Sequence, residues 1–145
     1  VIRATLAATL APELHRKIAV RVEIRSTKIR GKETLGCVGE ALLDNVYVIR
    51  LRKDLPVRRL ATTAAHEAIH VAQFAGGRLT GSRDGVRHFD GKPYADVMPY
   101  RERPWEVEAY AEQERHARNA VEYDDATRVV AERVDAFGLR RWLRG

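Results

Sequence analysis

The chain holds one cysteine, Cys37, in 145 residues. No internal disulfide can form, and a metal site built mainly from thiolates is excluded. That fits a reducing compartment. Long apolar runs are also missing: charges break every hydrophobic stretch before membrane-spanning length, so no transmembrane helix is expected. Val1-Ile2-Arg3 does not open a basic-then-apolar leader, so a cytoplasmic or virion-associated location is expected rather than secretion. Internal repeats, low-complexity tracts and linkers are absent, and residues 1–145 read as a single domain with its own core. Aromatic residues are few, at 7%, and do not interleave with basic ones as in proteins that stack single-stranded nucleic acid. No helix-turn-helix pattern stands out.

What is present is an ordinary globular composition, 45% hydrophobic, with a net charge of +6. The basic residues are scattered. Such an excess suits weak contact with nucleic acid or an acidic surface, but a solvated basic surface explains it as well.

Periodicity predicts an α+β chain. Leu6, Leu10 and Leu14 mark a helix over 3–16 that restarts at Pro12. Ile18, Val20, Val22 and Ile24 alternate with other residues as in a half-buried strand. Thr34 to Ala41 reads as a weaker strand softened by Gly36 and Gly39, and Asn45 to Leu51 as a third, rich in β-branched residues. Pro56 opens a helix that ends at Gly76-Gly77. Residues 77–103 show no helical period and read as a long functional or mobile loop with a tight turn over Phe89 to Tyr94. Pro104 begins a helix to about Asn119, and a last helix runs from about Asp124 to Phe137. The expected architecture is a small, mostly antiparallel sheet of about three strands packed against the central helix and two to three further helices.

That central helix carries the chemistry. Residues 66–70 read His-Glu-Ala-Ile-His. Helical residues four apart lie on one face, so His66 and His70 can direct two imidazole nitrogens at one metal ion. Glu67, at the flank of that face, can reach a metal-bound water. Two nitrogen ligands, an open position and a neighbouring carboxylate are what a zinc hydrolase requires. The segment Leu60 to Ala75 is apolar nearly all round, so these polar groups are buried and need a partner such as a metal. The plain alternative is an exposed polar stripe. For Cys37, a small buried residue is the simple reading and a thiolate masking the metal the other.

A catalytic zinc takes three protein ligands. Candidates for the third are Glu106, Glu108, His88 and His116. Glu106 and Glu108 are two apart on a helix and point to nearly opposite faces, so only one of them can meet the metal.

His66-Glu67-Ala68-Ile69-His70 together with Pro104-Trp105-Glu106-Val107-Glu108-Ala109-Tyr110-Ala111 resembles the zincin metallopeptidases of the gluzincin type, in which a downstream helix supplies a glutamate ligand. Small bacterial and phage-encoded members carry a Glu-x-Glu-Ala string after the histidine motif. In the related Glu-x-x-Ala-Asp form, the glutamate three residues before the alanine binds zinc. The resemblance therefore implies a zincin-like domain with Glu106 as third ligand and Ala109 packed near the motif helix. Tyr110 stands where that form has its acid. A second register implies Glu108, with Ala111 and Glu112. The metzincin pattern fails, because Gln73 and Gly76 occupy the places of its glycine and histidine. A three-histidine site through His88, as in Spartan-type proteases, is a further alternative. The resemblance covers residues 63–72 and 104–111.

The implied activity is zinc-dependent hydrolysis of a peptide or protein substrate, with Glu67 as general base and Tyr94, Tyr100, His88 or Arg101 as an added donor. The strand from Val46 to Leu51 is expected to edge the cleft and pair with extended substrate, as in similar zincins. The alternative functions are a zinc-stabilised structural or interaction module, phage-particle or nucleic-acid associated, and a peptidase recruited by DNA.

Overall fold

The computed structural model describes residues 1–25, 35–40 and 44–122. The expected last helix over 124–137, and the basic residues beyond it, lie outside the described residues.

The chain order is α1 (Ile2–Thr9), α2 (Pro12–His15), β1 (Ala19–Arg25), β2 (Gly36–Glu40), β3 (Val46–Arg52), α3 (Val57–Ala75), β4 (Val86–Phe89), β5 (Lys92–Ala95), a 3₁₀ turn at Tyr100–Glu102, and α4 (Pro104–Glu122). This is a mixed α+β chain, as its periodicity predicts. Among the described residues, no helix is long and apolar enough to cross a membrane. Pro12 splits the first helical stretch because its ring cannot continue the preceding hydrogen-bond ladder. It stands instead in the first turn of α2.

β1, β2 and β3 form one sheet in the order β1-β3-β2. β2 pairs antiparallel with β3, but β1 and β3 run parallel, from Ala19 opposite Val46 to Arg25 opposite Arg52. Counted with the separate β4–β5 hairpin, two of the three strand pairings are antiparallel. The expectation that residues 46–51 edge the cleft is overturned. Among the described residues β3 is the central strand, bonded on both sides, and β1 and β2 are the strands at the two ends. β3 is also more buried than β1, with Ile49 fully enclosed. Its apolar, β-branched run suits a strand enclosed by neighbours rather than an edge.

Residues 77–103 are not one irregular loop. Asp90-Gly91 joins β4 to β5 with φ of 49° and 76°, the paired positive angles of a type I′ turn. Asp84-Gly85 (φ 52° and 75°) makes a second such turn closed by reciprocal Arg83–Val86 bonds.

α3 is the hub. Every residue from Thr63 to Gln73 is buried. α1, α4, β2 and β3 all pack on it. One core cluster lies between α1, β3 and α3, with Leu6, Leu10, Tyr47, Ile49, Leu51 and Val71 among its members. A second joins Leu79 and Phe89 to Trp105 at the start of α4, and Phe74 packs against both clusters. α3 ends in a Schellman turn. Gly77 has φ 70°, its N–H donates to the Phe74 carbonyl, and the Arg78 N–H donates to the Gln73 carbonyl. That turn throws Arg78 back across the helix end toward α4.

Candidate metal centre

His66 and His70 stand one turn apart on the face of α3 that meets α4. Glu106 lies in the first turn of α4. Between helices packed side by side, the three side chains converge. His66 Nε2 is 3.1 Å from Glu106 Oε2, His70 Nε2 is 3.3 Å from the same oxygen, and the two Nε2 atoms are 3.1 Å apart. All three residues are buried. Ligand atoms held tetrahedrally about 2.0–2.1 Å from a small divalent ion stand roughly 3.3–3.4 Å from one another. The observed triangle is close to that face, so the group can hold a metal ion. Among the described residues it is the one group of His, Cys, Asp or Glu with this geometry.

The donor chemistry agrees with the geometry. His66 Nδ1 lies 3.0 Å from Gln113 Oε1, and His70 Nδ1 lies 2.8 Å from Gln73 Oε1. An amide oxygen only accepts, so each Nδ1 carries the hydrogen when it faces one. Each neutral ring then presents a lone pair at Nε2. Two lone pairs and a carboxylate oxygen facing one another need a cation between them. A proton serves when no metal is bound: burial works against a charged His70, but Glu106 outweighs it and raises its pKa above the ordinary 6.5. Burial likewise opposes the charge on Glu106, yet bonds from His66 and His70 prevail and hold it at about 2.

Glu67 is 5% exposed and lies beside the triad, under β2. Burial is the chief reason its carboxyl titrates above 4.5; the two histidines pull the other way, and Glu106 adds to the rise. Gly36 makes room for it. A Cβ there would stand 3.0 Å from Glu67 Oε1 and 2.7 Å from Thr63 Cγ2.

The remaining candidates fall elsewhere. Glu108 does not meet the triad. It accepts from Gln73 Nε2 at 3.2 Å and from both Arg78 terminal nitrogens at 2.8 and 2.7 Å. His116 is ten residues past Glu106, about 15 Å along α4, and faces Glu112. His88 sits exposed on β4. Cys37 alternates with Gly36 along β2 and so points away from α3. Of the proposed donors, Tyr100 reaches the centre. Its hydroxyl faces Glu106, and burial, then Glu106, push its pKa up. Tyr94 packs on Trp105, and Arg101 lies 5.3 Å over the Tyr110 ring.

Three residues at the centre escape sequence reasoning. Tyr110 lays its ring against His66, with centroids 4.7 Å apart. Gln113 accepts from His66. Gln73, read above only as a missing glycine, supports His70. A buried glutamine at i+3 from a ligand was the available signal. Comparison with protein-family models, with curated proteins and with solved structures finds no match.

Proposed function

We propose that the protein is a zinc-dependent metallopeptidase with His66, His70 and Glu106 as metal ligands and Glu67 as general base. The observation that carries the reading is the convergence of those three donor atoms beside a second buried carboxylate that takes no part in the triangle. Two imidazoles and one carboxylate suit zinc and leave a coordination position for water. Zinc bound there would supply a water ionising near neutral pH and a Lewis acid for the scissile carbonyl.

The chain's own groups do the rest. Glu67 takes a proton from the attacking water and returns it to the leaving amine. Its enclosure keeps the carboxylate poorly solvated and so a stronger base than one in water. Tyr100, already turned to Glu106, is the O–H donor placed to stabilise the developing oxyanion. β2 runs past Glu67 and, among the described residues, is bonded on one side only, to β3. It is the strand along which an extended peptide would lie.

The test uses Glu67→Gln. Zinc stoichiometry should remain at one while cleavage of a peptide library falls about 10²–10⁴-fold. Intact activity with zinc retained would refute the general-base role. The burial of all four groups also suits a zinc-stabilised structural module. Full zinc occupancy with no cleavage of any library peptide by the wild type would favour it.

A further inference from the structure

We propose that Gln73 is a positioning residue that decides which nitrogen of His70 faces the centre. Its effect on metal affinity rests on the metal-centre reading above; its effect on the His70 ring does not.

The argument is one of donors and acceptors. Gln73 is 1% exposed. Its amide nitrogen donates to the Trp105 carbonyl at 3.1 Å and to Glu108 Oε1 at 3.2 Å. Both partners only accept. Turning the amide over would set its oxygen against two acceptors in a buried site and lose both of those bonds, keeping only a contact to His70. The oxygen therefore stays toward His70 Nδ1, at 2.8 Å. Nδ1 must carry hydrogen, and the Nε2 lone pair is left facing His66 and Glu106.

Glu108 is itself held in place. Arg78 grips both its oxygens, and the same guanidinium bonds both oxygens of Asp90 at the tip of the β4–β5 hairpin, each at 2.8 Å. Arg78 reaches them because the Schellman turn at Gly77 reverses the chain. The hairpin, the end of α3 and the start of α4 thus jointly orient one amide, and through it one imidazole.

Long-range ¹⁵N–¹H spectra of the metal-free wild type, recorded where His70 is neutral, test this directly. Expected is a protonated Nδ1 and a lone-pair Nε2 on His70. A protonated Nε2 overturns the proposal, and no substitution is needed to see it. Gln73→Leu, checked for folding by circular dichroism, should lose the preference and bind zinc 10–100-fold more weakly in competition with a chromophoric chelator. An unchanged His70 ring in that variant would overturn the proposal too. The exchange Gln73→Glu with Glu108→Gln returns an acceptor to Nδ1 and a donor beside it. It should restore the tautomer, which a merely space-filling role for Gln73 would not; with a carboxylate oxygen now set against the Trp105 carbonyl, only part of the affinity should return. A wild type that binds no zinc yet shows Nδ1–H refutes the metal reading and leaves this one standing.

Discussion

Gly36→Ala tests the seam between sheet and motif helix. The added methyl would sit 2.7 Å from Thr63 Cγ2, 3.0 Å from Glu67 Oε1 and 3.1 Å from Glu67 Cγ. Ordinary carbon contacts are about 3.5–4.0 Å, so β2 must lift or both α3 side chains must move. Overpacking of this kind costs about 1–3 kcal/mol. Replacing glycine also restricts the unfolded chain and returns about 0.4–1 kcal/mol. The net loss is about 1–2 kcal/mol, or roughly 2–8 °C in Tm for a domain near this size. Thermal unfolding in chelator isolates the protein from its metal. Thr63→Ser removes the closest atom and keeps the hydroxyl that donates to the Arg59 carbonyl at 2.8 Å. It should stabilise the Gly36→Ala protein while mildly destabilising the wild type. Gly36→Ala as stable as wild type, or Thr63→Ser acting alike in both backgrounds, would show that β2 does not press on α3 here.

Zinc at about one hundred times its Kd should stabilise the wild type by about 2.7 kcal/mol, read as a rise in Tm, and Glu106→Ala should abolish the rise; an equal rise in that variant removes Glu106 from the site. Glu108→Ala should keep zinc binding but weaken it, since Glu108 acts only through Gln73; complete loss would restore it as a ligand. In the metal-free protein, Glu67 titrates above 4.5 and His70 above 6.5. Both bind protons more tightly when folded, so thermal stability should fall as pH rises past 4.5 through the Glu67 pKa and past 6.5 through that of His70. Glu106, held at about 2, contributes stability above 4.5 that is lost as pH falls toward 2. Because zinc competes with the His70 proton, the zinc-induced rise in Tm should grow between pH 5 and 8; a flat or falling trend contradicts the coupling. Glu67→Gln should stabilise the metal-free protein more above the Glu67 pKa than below it, the reverse of its effect on activity.

Much of this is legible in the chain because it depends on local pattern. The alternation from Ile18 to Ile24, the uninterrupted run from Pro56 to Gly76 and the Pro104 start each set an element by short-range physics. The His66–His70 face follows from helix geometry alone. Strand order is different. Whether Val46–Arg52 lies at an edge or between partners depends on pairings twenty-seven residues apart, as between Ala19 and Val46, which no local pattern encodes. The β4–β5 hairpin hid for another reason: strands of four residues are too short to show alternation, and only the two Asp-Gly pairs announced its turns. The choice between Glu106 and Glu108 could be narrowed to one of the two by their opposed faces. Which one meets the histidines depends on the rotation of α4 about its axis, fixed by Trp105 and Ala109 packing inward.

The arrangement also explains how so much polarity is tolerated inside α3. His66, Glu67, His70 and Gln73 fall within eight residues of a fully buried stretch, where unpartnered polar groups would each cost several kcal/mol. Their local contacts are only with one another, Gln73 to His70 and His70 to His66. Glu106 and Gln113 arrive from α4, the Trp105 carbonyl and Glu108 from its first turns, and the space over Glu67 from β2. In the unfolded chain His66 and His70 remain a neighbouring pair, but Glu106 is thirty-six residues beyond His70 and closing that loop is unfavourable. A metal bound by this group would therefore distinguish the folded state through a third donor that only the α3–α4 contact supplies. Weakening that contact away from the site, for instance by Ala109→Gly at a fully buried position, should lower zinc affinity and stability together, whereas an equal loss of stability from Leu6→Ala, on the far side of α3, should leave affinity nearly unchanged once the protein is folded.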